Sequence, residues 1–258
     1  MRFNEKVVIV TGGGSGIGET SARLFAAEGA SVVIADWNEE DGQRVAASLN
    51  AEFPSKMMPR AVALKTDVSR EEDSVALMEY TMQTFGRLDV LFNNAAVIHP
   101  KPIEEITEHN FDRLMAVNLK GVYLTIKHAI PLLRRTKGSI VNMASLGGIV
   151  GQRNNPIYAA SKGGLIALTK SLALDFAPDG VRVNCVCPAG VSTPLLEAWT
   201  MEQPDPAAAA KSLADMHPLG RPATPEEVAQ SVLYLASEHA SFVTGVALPV
   251  EGGASLGY

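Results

Sequence analysis

Short apolar runs alternate with longer stretches of helical spacing from one end of this chain to the other. A short apolar run closed by glycine or polar residues indicates a buried strand, and apolar residues that recur every three or four positions indicate a helix. The predicted strands are 7–10, 31–36, 61–66, 88–93, 139–145 and 181–187, with a seventh at 246–250. The predicted helices are 16–28, 39–53, 71–85, 111–133, 157–176 and 225–237, and we expect 111–133 to form two.

The alternation of strand and helix defines the fold class. Parallel strands joined by right-handed helical crossovers predict an α/β fold, with a doubly wound, parallel seven-stranded sheet and helices on both faces. No linker, repeat or change of composition divides the sequence, so 1–258 is expected to be a single domain. The least regular part is 189–223, which is rich in proline and alanine. Its large apolar residues favour a substrate-binding lid.

Composition and charge change this picture little, but they exclude some partners. Apolar residues make up 47% of the chain and charged residues 19%, which is ordinary for a globular protein. The net charge of -6, without a cluster of Lys and Arg, argues against nucleic acid or an anionic membrane as a partner. The sequence shows no signal peptide and no run long enough to cross a membrane, so a cytoplasmic location is expected.

The two cysteines, Cys185 and Cys187, are separated by one residue on a predicted strand. We expect them to point to opposite faces of the sheet, which would prevent a disulfide, and we interpret them as reduced packing residues. No nearby Cys or His completes a set of ligands, so no metal site is predicted.

A glycine-rich run, T-G-G-G-S-G-I-G at 11–18, joins the first predicted strand to the first predicted helix. Glycines at such a junction allow a tight turn, and the N–H groups and dipole of the helix N-terminus favour a pyrophosphate. The spacing of Gly12, Gly16 and Gly18 differs from the commoner G-x-G-x-x-G pattern. The flanking strand and helix nevertheless predict a dinucleotide site of the Rossmann type.

Asp36 closes the second predicted strand. An acidic side chain there accepts hydrogen bonds from an adenosine ribose and repels a 2′-phosphate, so NAD is favoured over NADP; the alternative is a solvated acid at a strand end. Ser15 and Trp37 occupy positions where an Arg or Lys would be needed to neutralise that phosphate. Asp67 follows the third predicted strand and is a candidate for the adenine edge, with helix capping before Ser69 as the alternative.

Tyr158 and Lys162 stand four residues apart in a predicted helix, and Ser145 ends the fifth predicted strand. Positions i and i+4 share a helix face, so the Lys162 ammonium can approach the phenol and lower its pKa. Tyr158 could then exchange a proton with an alcohol. Ser145 lies where open α/β sheets bind their ligands, and its hydroxyl can hold a substrate oxygen. The alternative is a Tyr–Lys pair that merely decorates a helix, which the glycine run disfavours.

These motifs together resemble the short-chain dehydrogenase/reductase family, in its NAD-preferring subset, over essentially the whole chain. The glycine run matches the family's cofactor motif, and N-N-A-A at 93–96 matches its stabilising motif. V-R-V-N-C-V-C-P at 181–188 matches the strand that leads to the nicotinamide pocket. The chain departs from the family at Ala96 and Ala189, where glycine is usual.

The resemblance also implies roles. Ser145, Tyr158 and Lys162 match the catalytic triad, and Asn118 matches a fourth catalytic position. Tyr158 would be the acid/base, Lys162 would bind the nicotinamide ribose, and Ser145 would hold the substrate oxygen. Asn118 would organise a proton-relaying water, with a helix-interior amide bonded to backbone as the compatible alternative. The residues expected to contact NAD are Gly12, Ser15, Gly16, Ile17, Gly18, Asp36, Trp37, Asp67, Val68, Asn94, Ala95, Tyr158, Lys162, Pro188, Gly190, Val191 and Thr193.

Family members assemble most often as tetramers, so the resemblance implies a homotetramer. The C-terminal strand and the helix 157–176 are the candidate interfaces.

The predicted substrate is small and polar. The residues expected to line its pocket beside Ser145 are His99, Gln152, Asn154, Glu197 and Trp199. Buried polar groups discriminate in favour of a ligand that bonds them, so this set favours a hydroxyl-rich alcohol such as a sugar. His99 and Glu197 could equally face solvent.

The closing sequence narrows the hypothesis. S-T-P-L-L-E-A-W at 192–199 and the terminal E-G-G-A-S-L-G-Y are similar to the members of the family that act on L-fucose and to related hydroxysteroid dehydrogenases. We therefore expect an NAD-dependent oxidation of an L-fucose-like aldose at its anomeric carbon. The alternatives are a cyclic diol or hydroxysteroid dehydrogenase, a 3-oxoacyl thioester reductase, and a catalytically silent dinucleotide-binding scaffold.

Overall fold

The structure, a computed structural model, describes residues 1–55 and 58–256. Seven parallel strands form one sheet in the order β3-β2-β1-β4-β5-β6-β7. Crossing from β1 to β4 reverses the direction in which the sheet is built, and this reversal opens a crevice at the carboxyl ends of the strands. The strands are β1 Val7–Thr11, β2 Ser31–Asp36, β3 Ala61–Lys65, β4 Val90–Asn93, β5 Ser139–Met143, β6 Arg182–Pro188 and β7 Ala247–Val250.

Ten α-helices connect and cover these strands in the described part of the chain. One apolar layer packs α1, α2 and α10 against the sheet, and a second layer packs α3, α5 and α7 against the opposite face. The helices are α1 Gly16–Ala27, α2 Glu39–Glu52, α3 Glu71–Phe85, α4 Glu108–Met115, α5 Gly121–Thr136, α6 Gly147–Val150, α7 Pro156–Phe176, α8 Pro194–Met201, α9 Pro206–Asp215 and α10 Pro225–Ala236. The predicted α/β fold with a doubly wound parallel sheet is confirmed.

Local sequence determines where several helices begin. The Asn38 side chain accepts hydrogen bonds from the backbone N–H groups of Glu40 and Asp41 at the start of α2. Thr224 and Glu227 form a reciprocal capping box at the start of α10, where Pro225 occupies the first helical position. Such caps satisfy N–H groups that have no partner inside the helix.

The segment 189–223 is more regular than the sequence predicts, because it contains α8 and α9. Each helix begins with a proline whose preceding residue caps it: Thr193 accepts from the N–H of Leu196, and Asp205 accepts from that of Ala208. A capping residue followed by proline is typical of a helix start, so the predicted irregularity of this segment is wrong at these two places. Neither helix has a buried residue.

The predicted pair of helices in 111–133 exists, but no loop separates the two. A π-helical turn, Ala116–Lys120, joins α4 directly to α5. Inserted turns of this kind occur often at functional sites because they change the direction of backbone and side-chain groups within a helix.

The expected orientation of the two cysteines is wrong. Cys185 and Cys187 are both fully buried and belong to one cluster with Ala144 and Ile166. Side chains on a strand alternate between faces, so residues two apart share a face. Both thiols are free.

A chain of buried polar side chains crosses the core beneath the sheet. Thr125 Oγ1 donates to Asn93 Oδ1 at 2.7 Å, Asn93 Nδ2 donates to Asn142 Oδ1 at 2.9 Å, and Asn142 Nδ2 donates to Thr169 Oγ1 at 2.9 Å. Asn93 and Asn142 are paired neighbours on β4 and β5. The chain therefore ties α5 and α7 to the sheet and satisfies groups that burial would otherwise leave unpaired.

No helix in the described ranges has the length and apolarity needed to cross a bilayer. The last two residues of the terminal E-G-G-A-S-L-G-Y run lie outside the described residues.

We predict that Asn142→Ala lowers the free energy of unfolding by about 2–3 kcal/mol, because it leaves Asn93 without its acceptor in the core. Thr169→Val removes one of these hydrogen bonds where Asn142→Ala removes two, and it leaves only Asn142 Nδ2 unpaired, so it should cost less, about 1 kcal/mol. Urea unfolding followed by circular dichroism measures both. Equal losses for the two variants would contradict a connected chain.

Candidate active site

The glycine run turns the backbone from β1 into α1 with no room for side chains. A Cβ on Gly18 would lie 2.0 Å from the Gly12 carbonyl oxygen, and Gly16 adopts a φ of +53°. Ser15, the N-cap of α1, is exposed, and its side chain makes no capping hydrogen bond. The N-terminus of α1 is thus open to an anion at the carboxyl end of the sheet.

The Gly14 peptide is held from both sides. Its N–H donates to Asp36 Oδ2 at 2.8 Å, and its carbonyl accepts from Arg44 Nη2 at 2.7 Å. Asp36 Oδ1 accepts from the N–H of Asn38 at 2.9 Å, and Asp36 is only 8% exposed. The interpretation of Asp36 as a solvated strand-end acid is therefore wrong. Glu19 orients Arg44 through two hydrogen bonds of 2.9 Å.

The residues after β4 fasten the same loop. Asn94 Nδ2 donates to the carbonyls of Gly12 at 2.9 Å and Thr11 at 3.1 Å. Thr11 Oγ1 accepts from the N–H groups of Asn94 and Ala95 at 3.0 and 3.1 Å. The motif N-N-A-A thereby holds β1 and β4 together at the crevice, and Ala96 is exposed beyond it.

The predicted adenine-side residues differ in exposure. Trp37 is 72% exposed beside Asp36, while Val68 is buried against α5. Asp67 Oδ1 accepts from both the N–H and the hydroxyl of Ser69, at 3.0 and 2.7 Å. Burial opposes ionisation of Asp67, but these hydrogen bonds hold its pKa below the ordinary value. Asp67 therefore closes a turn with Ser69 and does not cap the next helix, which begins at Glu71 with Arg70 as its N-cap, so the capping alternative is wrong.

The loop after β6 meets the glycine run. A Cβ on Gly16 would lie 3.5 Å from Thr193 Cγ2, so the two predicted cofactor segments are in contact. Val191 forms an isolated bridge with Ala223, which lies beyond α9. Ala189 does not adopt a left-handed backbone. The methyl group that replaces the family's usual hydrogen there brings no backbone strain.

Ser145, Tyr158 and Lys162 converge at the end of β5. Lys162 is 1% exposed; its Nζ donates to the Met143 carbonyl at 2.6 Å and lies 5.6 Å from the centre of the Tyr158 ring. Ser145 Oγ accepts from the N–H of Gly147 at 3.1 Å and hydrogen-bonds the Tyr158 side chain. A hydroxyl, a phenol and an amine thus share one crevice wall, which is the set of groups that proton exchange with an alcohol requires.

Burial shifts both titratable groups toward their neutral forms. It raises the pKa of Tyr158, and the hydrogen bond with Ser145 opposes this only in part. It lowers the pKa of Lys162 to about 8, while the Cys187 and Cys185 thiols act in the opposite direction. The direction for Tyr158 is opposite to that predicted from the i, i+4 spacing. The reason is that Lys162 directs its ammonium to the Met143 carbonyl and that both groups lose hydration.

Asn118 lies in the π-helical turn and is fully buried. Its side-chain Oδ1 accepts from the N–H of Val97 at 2.8 Å, and its Nδ2 donates to the Val97 carbonyl at 2.8 Å and to Ser161 Oγ at 3.4 Å. The Asn118 amide is thus hydrogen-bonded to backbone, which was the alternative interpretation of this residue. Through Ser161 it also joins the segment after β4 to the helix that carries Tyr158.

Among the predicted substrate residues, Gln152 lies beside the reacting groups. A Cβ on Gly147 would lie 3.1 Å from Gln152 Oε1 and 3.5 Å from Ser145 Oγ, so the two side chains flank one small space. His99 instead shares a 3.0 Å hydrogen bond with Asn110. Gln152, Asn154 and Glu197 are all exposed, Asn154 with a φ of +55°, and Trp199 on α8 is partly buried.

Three contributing residues were not predicted from the sequence. Asn155, 1% exposed at the N-cap of α7, donates from Nδ2 to Gln152 Oε1 at 3.2 Å. Its position before Pro156 is a helix-start pattern that could have identified it. Arg44 contacts the backbone of Gly14 and His217 contacts that of Gly190. No pattern in the sequence near either residue indicates these contacts.

The geometry fits a dinucleotide. An open helix N-terminus for a pyrophosphate, a buried acid at the end of β2 and a polar crevice between β1 and β4 lie along one edge of the sheet. Within residues 1–55 and 58–256, no group of three or more His, Cys, Asp or Glu side chains could hold a metal ion.

Comparison with known proteins decides the family. The family model described as enoyl-(acyl carrier protein) reductase, of the short-chain dehydrogenase type, matches residues 12–255. The chain belongs to the short-chain dehydrogenase/reductase family. It is an oxidoreductase that acts on CH–OH groups and uses a nicotinamide dinucleotide.

Relatives within this family differ in substrate. The chain is 45% identical to L-fucose dehydrogenase of Bos taurus, covering 100% of this chain and 92% of the relative. It is 42% identical to meso-2,3-butanediol dehydrogenase of Serratia marcescens, covering 99% and 96%. The 3-ketoacyl-(acyl-carrier-protein) reductase of Brucella melitensis, solved with NADH, is 36% identical and superposes with a TM-score of 0.88 over 98% of this chain and 99% of that one.

We predict that Lys162→Met stabilises this short-chain dehydrogenase at neutral pH. Because the folded pKa lies below the unfolded one, wild type bears a cost of about 3 kcal/mol below pH 8, and this cost disappears as pH rises toward about 10.5. Urea midpoints at pH 7 and pH 10.5 measure the difference. Lys170→Met, an exposed position on the same helix, should show no such dependence. A Lys162→Met protein that is less stable than wild type at pH 7 would contradict the prediction.

Proposed function

We propose that this short-chain dehydrogenase transfers hydride between NAD and a secondary alcohol of a small polar cyclic substrate, and that the substrate is an L-fucose-like aldose oxidised at its anomeric carbon. The position of Gln152 beside Ser145 carries the substrate class. An amide at that place can bond a second hydroxyl of a ligand whose reacting oxygen lies on Ser145 and Tyr158. The 45% identity to an L-fucose dehydrogenase supports the same assignment.

Each member of the catalytic set has a role in this proposal. Ser145 donates to the substrate oxygen, and Tyr158 takes the hydroxyl proton during oxidation and returns it during reduction. NAD, when held by the glycine loop and Asp36, would supply the redox chemistry as the acceptor of the substrate's hydride. Lys162 orients the nicotinamide ribose, and Asn118, held by both polar groups of Val97, fixes the turn from which a water would relay protons.

Burial raises the pKa of Tyr158, so the phenol is neutral in the protein alone, whereas Lys162, with its pKa lowered to about 8, is still mostly protonated at neutral pH. Positive charge beside the phenol favours phenolate. Formation of the Tyr158 phenolate would therefore be favoured by the positive charge of an oxidised nicotinamide held beside the phenol.

The choice of NAD rests on Asp36. Its buried carboxylate accepts two backbone N–H groups, which fixes negative charge where a 2′-phosphate would have to sit. Arg44 is the neighbouring cation, and Glu19 and the Gly14 carbonyl already engage it. The cofactor contacts proposed here are those predicted above, with Trp37 covering the exposed adenine face.

We also propose that 1–258 acts as one dinucleotide-binding and catalytic domain, with 189–223 as its lid. Helices α8 and α9 expose apolar side chains, including Leu195 at 62% and Met201 at 73%. A segment that packs weakly on its own protein can rearrange over a ligand at small cost. Trp199 is the aromatic residue that this lid would bring to the substrate.

The assembly in this proposal is a cytoplasmic homotetramer. An apolar groove between the α4–α5 region and α7 is lined by Met115, Leu119, Tyr123 and Leu168, and Leu174 on α7 is 78% exposed. Faces of this kind become buried when a second copy packs on them. The two unpaired thiols support a reducing compartment. Sedimentation at about four times the chain mass of 27.4 kDa would agree with this assembly.

A substrate panel tests the function. With NAD, we expect L-fucose and related aldoses to be oxidised faster than meso-2,3-butanediol, cyclohexanol, a hydroxysteroid or a 3-hydroxyacyl thioester, as measured by absorbance of the reduced nicotinamide. Tyr158→Phe should lower kcat by roughly a hundred- to ten-thousand-fold, whereas Tyr234→Phe on the protein surface should not. Preference for cyclohexanol or the thioester would refute the proposed role of Gln152.

The cofactor assignment has its own test. The double substitution Asp36→Ala with Trp37→Arg should lower the ratio of kcat/KM for NAD to that for NADP by about tenfold or more, because it removes a repulsive charge and adds an attractive one. Taking the ratio cancels any shared loss from the freed Gly14 peptide. Glu40→Ala, at an exposed position on α2, is the control. An unchanged ratio would mean that Asp36 holds the loop but does not select the cofactor.

A further inference from the structure

His217 follows α9 and is buried, with 2% of its surface exposed. Its Nδ1 lies 2.7 Å from the Leu213 carbonyl, an oxygen that can only accept. Its Nε2 lies 3.2 Å from the backbone N–H of Gly190, a group that can only donate. These two partners require one tautomer, neutral and protonated on Nδ1. His217 therefore donates to the end of α9 and accepts from the loop after β6.

The backbone N–H and carbonyl of Gly190 both form hydrogen bonds at the base of the lid. The N–H of Gly190 donates to His217, and the carbonyl of Gly190 accepts from the N–H of Ala223 at 2.9 Å. The N–H of Ser192 donates in turn to the Ala223 carbonyl at 2.9 Å. The loop that carries Val191 is thus held from two places in the sequence, one before and one after the turn at Gly220.

His217 also connects this loop to the C-terminal segment. The side chain packs beside Gly252, and its own carbonyl accepts from the N–H of Gly220 at 2.7 Å. The N–H of Leu219 donates to the Gly252 carbonyl at 3.2 Å. The lid base, the loop after β6 and the chain after β7 therefore meet at one buried imidazole.

The space around the imidazole is already filled. A Cβ on Gly190 would lie 3.1 Å from His217 Cε1, so ring and loop are in close contact. A fixed ring of this kind transmits its position to the backbone it touches, because a packed interior leaves little room for adjustment.

We propose that His217 is a positioning residue that sets the backbone of Gly190 and Val191 for the nicotinamide end of the cofactor and couples it to the base of the lid. The inference rests on the proposed function, in which Pro188, Gly190, Val191 and Thr193 bind that end. It predicts that His217 affects the nicotinamide half of the ligand and leaves the adenosine half alone, because the glycine loop is held independently by Asp36, Arg44 and Asn94.

Two variants separate the hydrogen bond from the packing. His217→Gln keeps a side-chain oxygen that can accept from the N–H of Gly190, whereas His217→Phe keeps an aromatic ring without an acceptor. Met216→Ala, a half-exposed neighbour, is the matched control. Dissociation constants for NADH, from its fluorescence, and for ADP-ribose, which lacks nicotinamide, from calorimetry are measured for all four proteins, together with KM for NAD and kcat.

We expect His217→Phe to weaken NADH binding and raise KM for NAD by about tenfold, while ADP-ribose binds as in wild type. His217→Gln should restore most of the NADH affinity, and Met216→Ala should match wild type. Equal weakening of both ligands, or unchanged NADH binding in His217→Phe, would overturn the proposal. If wild type binds NADPH instead, the same comparison applies with NADPH and 2′-phospho-ADP-ribose, and only the choice of NAD fails. A wild type that binds neither dinucleotide would refute the proposed function and this inference together.

Discussion

Gly18 passes so close to the Gly12 carbonyl that a Cβ there would lie 2.0 Å from the oxygen, and this approach sets the geometry of the whole site. Because no side chain separates them, α1 starts directly above the ends of β1 and β4. Other segments then attach to this turn: Asn94 bonds its carbonyls, Asp36 and Arg44 hold the Gly14 peptide, and Thr193 packs against Gly16. The crevice is therefore assembled around backbone groups, and side chains mainly keep those groups in place.

At the catalytic end of the crevice, two titratable side chains are buried. Lys162 is a fully buried amine with a single hydrogen bond to a backbone carbonyl, beside a phenol that burial keeps neutral. A hydrated lysine would be more stable, so the fold maintains this arrangement at the expense of stability. Closely packed glycines make it possible, since a Cβ on Gly148 would lie 2.7 Å from the Lys162 carbonyl carbon. The burial of apolar residues in the sheet offsets the destabilisation caused by the buried Lys162.

Features that depend on neighbours along the chain could be predicted from the sequence. The strands, most helices, the glycine turn and the i, i+4 relation of Tyr158 and Lys162 are of this kind. Features that depend on distant partners could not: Arg44 meets Gly14 and His217 meets Gly190 only after folding. The pKa direction of Tyr158 also depends on burial, which spacing does not reveal. The orientation of Cys185 and Cys187 was predictable from strand geometry and was misjudged.

The buried chain from Thr125 through Asn93 and Asn142 to Thr169 has a consequence for assembly of the sheet. If β5 slipped by one residue against β4, Asn142 would turn to the opposite face, where Val141 and Phe92 pack in an apolar layer. Its amide would lose both partners there, while an aliphatic residue at the same place would tolerate the slip. The hydrogen bond between the two asparagines therefore favours the observed register of β5 against β4 over a register shifted by one residue. In the observed register Asn94 and Ser145, which follow these strands, lie at the same edge of the sheet.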